Sequence, residues 1–314
     1  MTEKTPQKLL ETLSAVVAGV ALGDALGNRL EFLRAPTDAD FQRQLVLPLV
    51  VSDDTQMTLF SLEAMRQDWP FADAYLRWFS TQGEVGAGDG LLGFPEMYDV
   101  QAPGMTCMSA CRSLLLGKPV ANDSKGNGTV MRCAHIAYEV SAKGGALGRA
   151  IALAREDAST THKHPYAAES SALLVAIHWC LIDGQSIADA VASALGEVEV
   201  SPEIAAMCQS ALNPDRYRQM RHELGGWVAE EALALAMGAV AHNPSFLDVL
   251  RSAVTIAGDS DTVGAIAGGL AAAQGFMPPP HLTQKLNVSK PIEYVLSLYG
   301  FSEINCKPLN ILTN

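Results

Sequence analysis

Two short segments gather oxygen-bearing side chains just ahead of apolar runs. One is Ser52-Asp53-Asp54-Thr55-Gln56-Met57, which leads into Phe60, Leu62 and Ala64. The other is Gly258-Asp259-Ser260-Asp261-Thr262, which leads into Ile266 to Ala273. Helix capping is the plain reading, because Asp, Ser and Thr accept the free N–H groups of a first turn and the positive helix end favours carboxylates. Capping accounts for one acid per helix. It does not account for two acids and a hydroxyl at both places. Adjacent carboxylates repel, and their burial costs several kcal/mol unless a cation neutralises them. Hard oxygen donors at short spacing are what Mg²⁺, Mn²⁺ or Ca²⁺ take. Asp53, Asp54, Asp259 and Asp261 carry charge enough for two divalent ions, and Ser52 and Thr262 add neutral oxygens.

Three further segments carry chemistry. In Gly23-Asp-Ala-Leu-Gly-Asn-Arg-Leu-Glu31-Phe, two glycines stand four apart within an apolar helix. Each costs about 1 kcal/mol against Ala there, so close helix approach is the first explanation. Asp24 between them reads as a buried polar anchor. Glu31 falls at the expected helix end, where the dipole disfavours a negative charge, which points to a role in a site. Asp123-Ser124-Lys125-Gly126-Asn127-Gly128-Thr-Val-Met131-Arg132 is a glycine-rich loop leading into an expected helix. Its N–H groups suit phosphate or another anion, although Asn-Gly is also an ordinary turn. In Thr161-His162-Lys163-His164-Pro165, the proline pushes His164 out of the α region. The two histidines therefore do not form an i, i+4 zinc pair. His162 reads either as a structural group or as a hydrogen-bonding partner of a ligand oxygen. The other five histidines show no pattern.

The elements that must position these residues are helical. Leu9, Leu13, Val16, Val17 and Val20 recur at three- and four-residue steps. The same period runs through Met57–Met65, Ala168–Cys180, Ile187–Leu195, Trp227–Val240 and Val263–Ala273. The best strand candidate, Leu45–Val51, contains Pro48 and is demoted to an edge or loop. Loops are expected at Gly83–Gly104, Lys118–Thr129 and Phe276–Pro280. The chain shows no fixed-period repeat and no linker, so one all-α domain over residues 1–314 is expected, with its core at about 12–275. Hydrophobic residues make up 48% of the 314, which suffices for a large core and excludes a disordered chain.

The formal charge of −12 argues against general nucleic-acid binding. The N-terminus MTEKTPQKLLETL lacks a signal-peptide pattern. The most lipid-like stretch, Ala172–Ile182, is shorter than the roughly 18 residues a bilayer needs, so no membrane span is expected. Six cysteines without a CxxC pair read as free thiols of a cytoplasmic protein, expected to be monomeric.

Taken together, these segments resemble the ADP-ribosylglycohydrolase family. The resemblance rests on GDALGNRLEF (23–32), SDDTQM (52–57), GNGTVMR (126–132), THKHP (161–165) and GDSDTVGAIAGGL (258–270), in that order, from about Ala15 to Gln274. It implies a compact, single-domain orthogonal helical bundle whose cleft holds two Mg²⁺ or Mn²⁺ ions. By that match Ser52, Asp53 and Asp54 form one ligand set, and Asp259, Asp261 and Thr262 the other, with Asp261 bridging. Glu31 matches the acid that faces the metals and the scissile bond. Ser124, Gly126, Asn127, Gly128, Met131 and His162 match positions lining an ADP-ribose pocket. Ser52 stands where many members have Thr, and it keeps a hydroxyl.

The implied activity is hydrolysis of the N-glycosidic bond of an ADP-ribosylated protein side chain, arginine first, with Glu31, Asp54 and Asp261 as the catalytic residues. Glu84, Asp89 and Tyr98 in the variable loop are candidates to hold a guanidinium. A different class of function is an immunity protein that neutralises an ADP-ribosyltransferase toxin by docking on it. A metal-dependent phosphohydrolase is the third, and would release phosphate.

Overall fold

The computed structural model describes residues 5–83, 86 and 88–300. Among the described residues there are sixteen α-helices and three short 3-10 helices. Two isolated bridges, Leu49 with Leu286 and Gly126 with Val228, are the β pairing found there. The architecture is all-α, as the helical period predicts.

The expected helices form, most with extended ends, while the one expected from Trp227 starts two residues later, at Ala229. They run Pro6–Gly27, Asp53–Arg66, Pro165–Ile182, Ile187–Glu197, Ala229–Ala241 and Ser260–Ala273. Proline opens the first and third of these, where its missing N–H costs nothing. The Leu45–Val51 stretch makes no strand. Leu49 accepts from Asn287 N at 2.9 Å, and Val51 N donates to Asn287 Oδ1 at 3.2 Å. Asn28 Nδ2 donates to Val50 O at 3.1 Å. These three bonds fix the backbone that delivers Ser52 to the start of its helix.

Helix Ser260–Ala273 lies at the centre and is buried on every side from Ser260 to Ala272. It runs against Pro6–Gly27 along a seam of glycines. A Cβ added at Gly23 would sit 1.9 Å from Gly264 O, one at Gly19 2.3 Å from Gly268 O, and one at Gly27 2.4 Å from Ser260 O. The reverse substitutions fail equally, at 2.4 Å for Gly264 against Gly23 O and 2.0 Å for Gly268 against Gly19 O. Close approach is therefore what these glycines are for. Ser260 Oγ continues the seam by donating to Gly27 O at 2.9 Å.

Pro6–Gly27 and Pro165–Ile182 are, by length and hydropathy, each capable of crossing a bilayer. The sequence reading missed the first because polar Glu11, Thr12 and Ser14 interrupt its apolar run. Two thirds of the apolar window of each helix is buried inside the protein, as expected of core helices. The five described cysteines are buried thiols. Cys306 lies outside the described residues.

Candidate active site

The site begins at helix ends. Ser52 caps Asp53–Arg66 by accepting from Asp54 N at 3.3 Å, and it donates to Asp54 Oδ2 at 3.0 Å. A second cap comes from another helix. Asp24, fully buried, accepts from Ser52 N at 2.8 Å and from Thr55 N at 3.1 Å. The anchor role read from sequence is thus met, and Asp53 and Asp54 are left over from capping. At the other segment Asp259 is the cap, accepting from Thr262 N at 3.4 Å, and Asp261 Oδ1 accepts from the same N–H at 3.0 Å.

Glu31 stands just past the end of the first helix, with its N–H on Gly27 O at 3.0 Å. The glycine seam brings this turn against the Asp259–Thr262 turn. Oxygens of Glu31, Asp259 and Asp261 lie within 4.8 Å of one another. Asp53 and Asp54 line the same cleft, whose volume is about 310 Å³.

Like charges in a buried place shift titration. Burial pushes Glu31 up to about 8, with Asp259, Asp53 and Asp24 adding repulsion. Burial also pushes Asp53 up to about 7, against the opposing N–H of Gly104. It pushes Asp24 up to about 6 despite its hydrogen bonds. Asp54 and Asp261 are held well above the usual carboxylate range, by burial and then by their acidic neighbours. Asp54 Oδ1 is buried without a hydrogen-bond partner. An orphaned carboxylate oxygen among oxygen donors fits a hard divalent cation. The residues present thus suit the metal that the family resemblance implies.

The opposite wall comes from the glycine-rich loop. Gly126, Asn127, Gly128, Met131 and His162 all line the cleft, together with Thr262. Asn127 Nδ2 donates to Gly226 O and to Asp259 Oδ2, both at 2.7 Å, and so orients that carboxylate. The loop leads into a helix, as expected, but one of 3-10 rather than α form. Asn127–Arg132 is a six-residue 3-10 turn. Ser52 and Ser124 do not line the cleft. Ser52 serves Asp54 from behind. Ser124 Oγ lies 3.1 Å from Thr106 Oγ1 and accepts from Gly126 N at 3.2 Å, so it shapes the loop from one layer back.

Other lining residues escaped the sequence reading: Phe32, Gly104, Met105, Cys107 and Trp227 among them. Gly104 N donates to Asp53 Oδ2 at 3.1 Å. Phe32, at φ 66°, stacks on Trp227 with ring centroids 5.8 Å apart. The signal that could have found Trp227 is the Gly225-Gly226 pair before it, since Gly226 has φ 73° and its carbonyl holds Asn127. The guanidinium candidates fare worse. Asp89 pairs with Arg77 at 3.2 Å, and Tyr98 donates to Leu92 O at 3.1 Å. Neither lines the cleft. Glu84 lies outside the described residues.

The cleft of this helical bundle is walled by acids from two helix N-termini and by a glycine turn, and the comparisons put the chain among hydrolases of glycosyl bonds. The chain belongs to the ADP-ribosylglycohydrolase family, whose sequence model matches residues 5–290. It is 25% identical over 308 residues to the ADP-ribosylarginine hydrolase Tri1 of Pseudomonas putida (strain GB-1), covering 92% of this chain and 78% of that protein. A solved structure described as an ADP-ribosylglycohydrolase-related protein complex superposes with a TM-score of 0.71 at 24% identity. That likeness covers 95% of this chain and all of the other, and it shows the shared fold.

Proposed function

We propose that the protein is a dinuclear-metal ADP-ribosylhydrolase that releases ADP-ribose from modified protein side chains, with arginine the first substrate. The observation that carries this is the meeting of Glu31, Asp53, Asp54, Asp259 and Asp261 in one cleft, with Asp54 Oδ1 left without a partner. Asp53, Asp54, Asp259 and Asp261, with Thr262 and with Ser52 behind Asp54, would hold two Mg²⁺ or Mn²⁺. Bound there, the ions would anchor ribose hydroxyls and lower the pKa of a water.

The chain's own groups do the rest. Cleavage at C1 of the distal ribose passes through an oxocarbenium-like state, and the carboxylates of the cleft stabilise that positive charge. As water bonds to C1 and the C1–N bond breaks, Glu31, beside Asp259 and Asp261, takes the proton of the attacking water and passes it to the departing guanidine nitrogen. The Gly126–Gly128 turn and His162 hold the ADP-ribosyl group. Asn127 keeps Asp259 aimed at the ribose. The arginine preference is supported by the similarity to the P. putida hydrolase.

The substrate is a protein. Phe32, Met105 and Trp227 belong to the cleft lining yet are 67%, 80% and 45% exposed. Large apolar side chains facing solvent beside a site suit contact with a macromolecule. The same surface favours the second reading, a docked ADP-ribosyltransferase. Neutralisation of a transferase by a metal-site variant without hydrolase activity would support docking.

The test is a release assay on an ADP-ribosylated arginine protein and an ADP-ribosylated serine peptide, with Mg²⁺, Mn²⁺ or EDTA. Metal-dependent release of free ADP-ribose from the arginine substrate is expected. Release from the serine peptide alone would overturn the linkage. Release unaffected by EDTA would overturn the metal assignment.

A further inference from the structure

Beneath the floor of the cleft lies a fully buried arginine. Arg132 donates through Nε to Asp157 Oδ2 at 3.3 Å, and through Nη1 to Gly128 O at 2.6 Å. Its Nη2 donates to Asp157 O at 3.1 Å and to Thr161 Oγ1 at 3.0 Å. The guanidinium carbon sits 4.0 Å from the centre of the Tyr75 ring, and Tyr75 OH donates to Asp157. A cation held on so many sides does not turn.

The polarity of the next bond follows from counting protons. Arginine only donates, so Thr161 Oγ1 accepts from it. The second partner of Thr161 Oγ1 is His162 Nδ1 at 2.8 Å. A hydroxyl has one proton to give. If Nδ1 carried the hydrogen, Oγ1 would accept twice and its own proton would be buried without an acceptor. The satisfied arrangement has Oγ1 donating to Nδ1, which places the imidazole hydrogen on Nε2.

That nitrogen faces the glycine turn. A Cβ at Gly126 would lie 3.2 Å from Nε2, and one at Gly128 3.3 Å from Cε1. The ring is part of the cleft wall. Burial, with the Arg132 charge behind it, lowers His162 to about 3, so the ring is neutral at working pH.

We infer that Thr161, oriented by the Arg132–Asp157 pair, is a positioning residue that locks His162 in its Nε2–H tautomer. His162 then offers the cleft a fixed neutral donor, aimed at an oxygen of the ADP-ribosyl group, and is unavailable as a base. The ligand half of this inference rests on the proposed function; the tautomer half does not. Because Arg132 also holds Gly128 O, one buried cation sets both the donor ring and the turn beside it.

The experiment reads the two halves separately. Protein labelled with ¹⁵N in histidine, free of ligand, gives the tautomer by long-range ¹H–¹⁵N correlation, with His162→Gln identifying the signal. The wild type and Thr161→Ser are expected to show Nε2–H. Thr161→Val should lose the fixed tautomer. Calorimetry with free ADP-ribose should then show affinity about 2- to 5-fold weaker for Thr161→Val and near wild type for Thr161→Ser, the scale of drawing one tautomer from a mixture of two. A thermal melt of each variant separates this from misfolding. Nδ1–H in the wild type, or an unchanged tautomer in folded Thr161→Val, overturns the inference whatever the enzyme cleaves. A lost tautomer with unchanged ADP-ribose affinity overturns the donor role. Failure of the release assay overturns the hydrolase reading and leaves the tautomer result standing.

Discussion

Charge removal at Asp54 should make the metal-free protein more stable, the reverse of what most buried substitutions do. The cleft gathers carboxylates that burial and mutual repulsion hold above their ordinary range. Raising Asp53 from 3.8 to about 7 corresponds to about 4 kcal/mol of lost stability when it is ionised, at 1.36 kcal/mol per pH unit. A cation that binds the folded chain at about 1,000 times its Kd returns about 4 kcal/mol. With an unfolding entropy of about 2.1 cal/mol/K per residue, the 314-residue chain loses or gains about 6 °C for that energy.

The pH dependence has a definite sign. A raised folded-state pKa contributes stability that is fully present below the unfolded value. It is lost as pH rises through the folded one. For Asp53 that loss is complete above about 7, and for Glu31 above about 8. His135, His162 and His178 act oppositely. Burial lowers each to about 3, so their contribution is present above 6.5 and is lost as pH falls toward 3.

Thermal melts in EDTA should therefore climb as pH falls from about 8 to 6.5, and go on climbing less steeply toward about 4.5, because the five raised acids, Glu31, Asp53, Asp54, Asp261 and Asp24, outnumber the three histidines. At pH 8, saturating Mg²⁺ or Mn²⁺ should raise the midpoint by about 6 °C. Asp54→Asn should melt above wild type in EDTA, with a flatter pH slope and little response to cation. An Asp54→Asn protein that melts lower in EDTA and keeps the full cation response would refute the reasoning.

Glu31→Gln should lower kcat by about 10² to 10⁴, the usual range for a general acid–base group, with folding intact by circular dichroism. Gly264→Ala should destabilise by about 3 kcal/mol or more, because the new methyl carbon would stand 2.4 Å from Gly23 O; urea titration measures it. Asp24→Ala should cost about 2 to 4 kcal/mol in the same titration, since it leaves the Ser52 and Thr55 N–H groups unpaired in the interior.

The helices were legible because their apolar positions recur at the helical period, and burial then decided their lengths. The acids were legible because capping could not use them all, and Ser52, Asp24 and Asp259 are indeed the groups that cap. The glycine seam was half legible. Gly23 and Gly27 stood out in one helix, but Gly264 and Gly268 gain meaning only once the two helices are known to touch. The aromatic part of the cleft was hidden. A tryptophan or phenylalanine in sequence reads as core, and beyond the Gly225-Gly226 pair nothing local told that Trp227, or Phe32, would face solvent. Asp89 and Tyr98 were misplaced for a related reason. Residue type suggested a cation partner, and Arg77 and the Leu92 carbonyl had already taken them. The Asn127–Arg132 stretch carried no cue that its first turn would tighten into 3-10 form.

The glycine seam also governs what evolution can adjust. Where two backbones touch, no side chain intervenes to be lengthened or trimmed, so the gap between the turns bearing Glu31 and Asp261 is a fixed gauge. Ser260 pins it by bonding directly to Gly27 O. Adaptation to a new leaving group must therefore run through the loops at Phe32, Ala102–Thr106 and Trp227, which border the cleft outside that gauge. Those loops still touch the acids, through Gly104 N on Asp53 Oδ2 and through Asn127, which bridges Gly226 O and Asp259 Oδ2, so change there is bounded by these few bonds while the gauge itself stays in register.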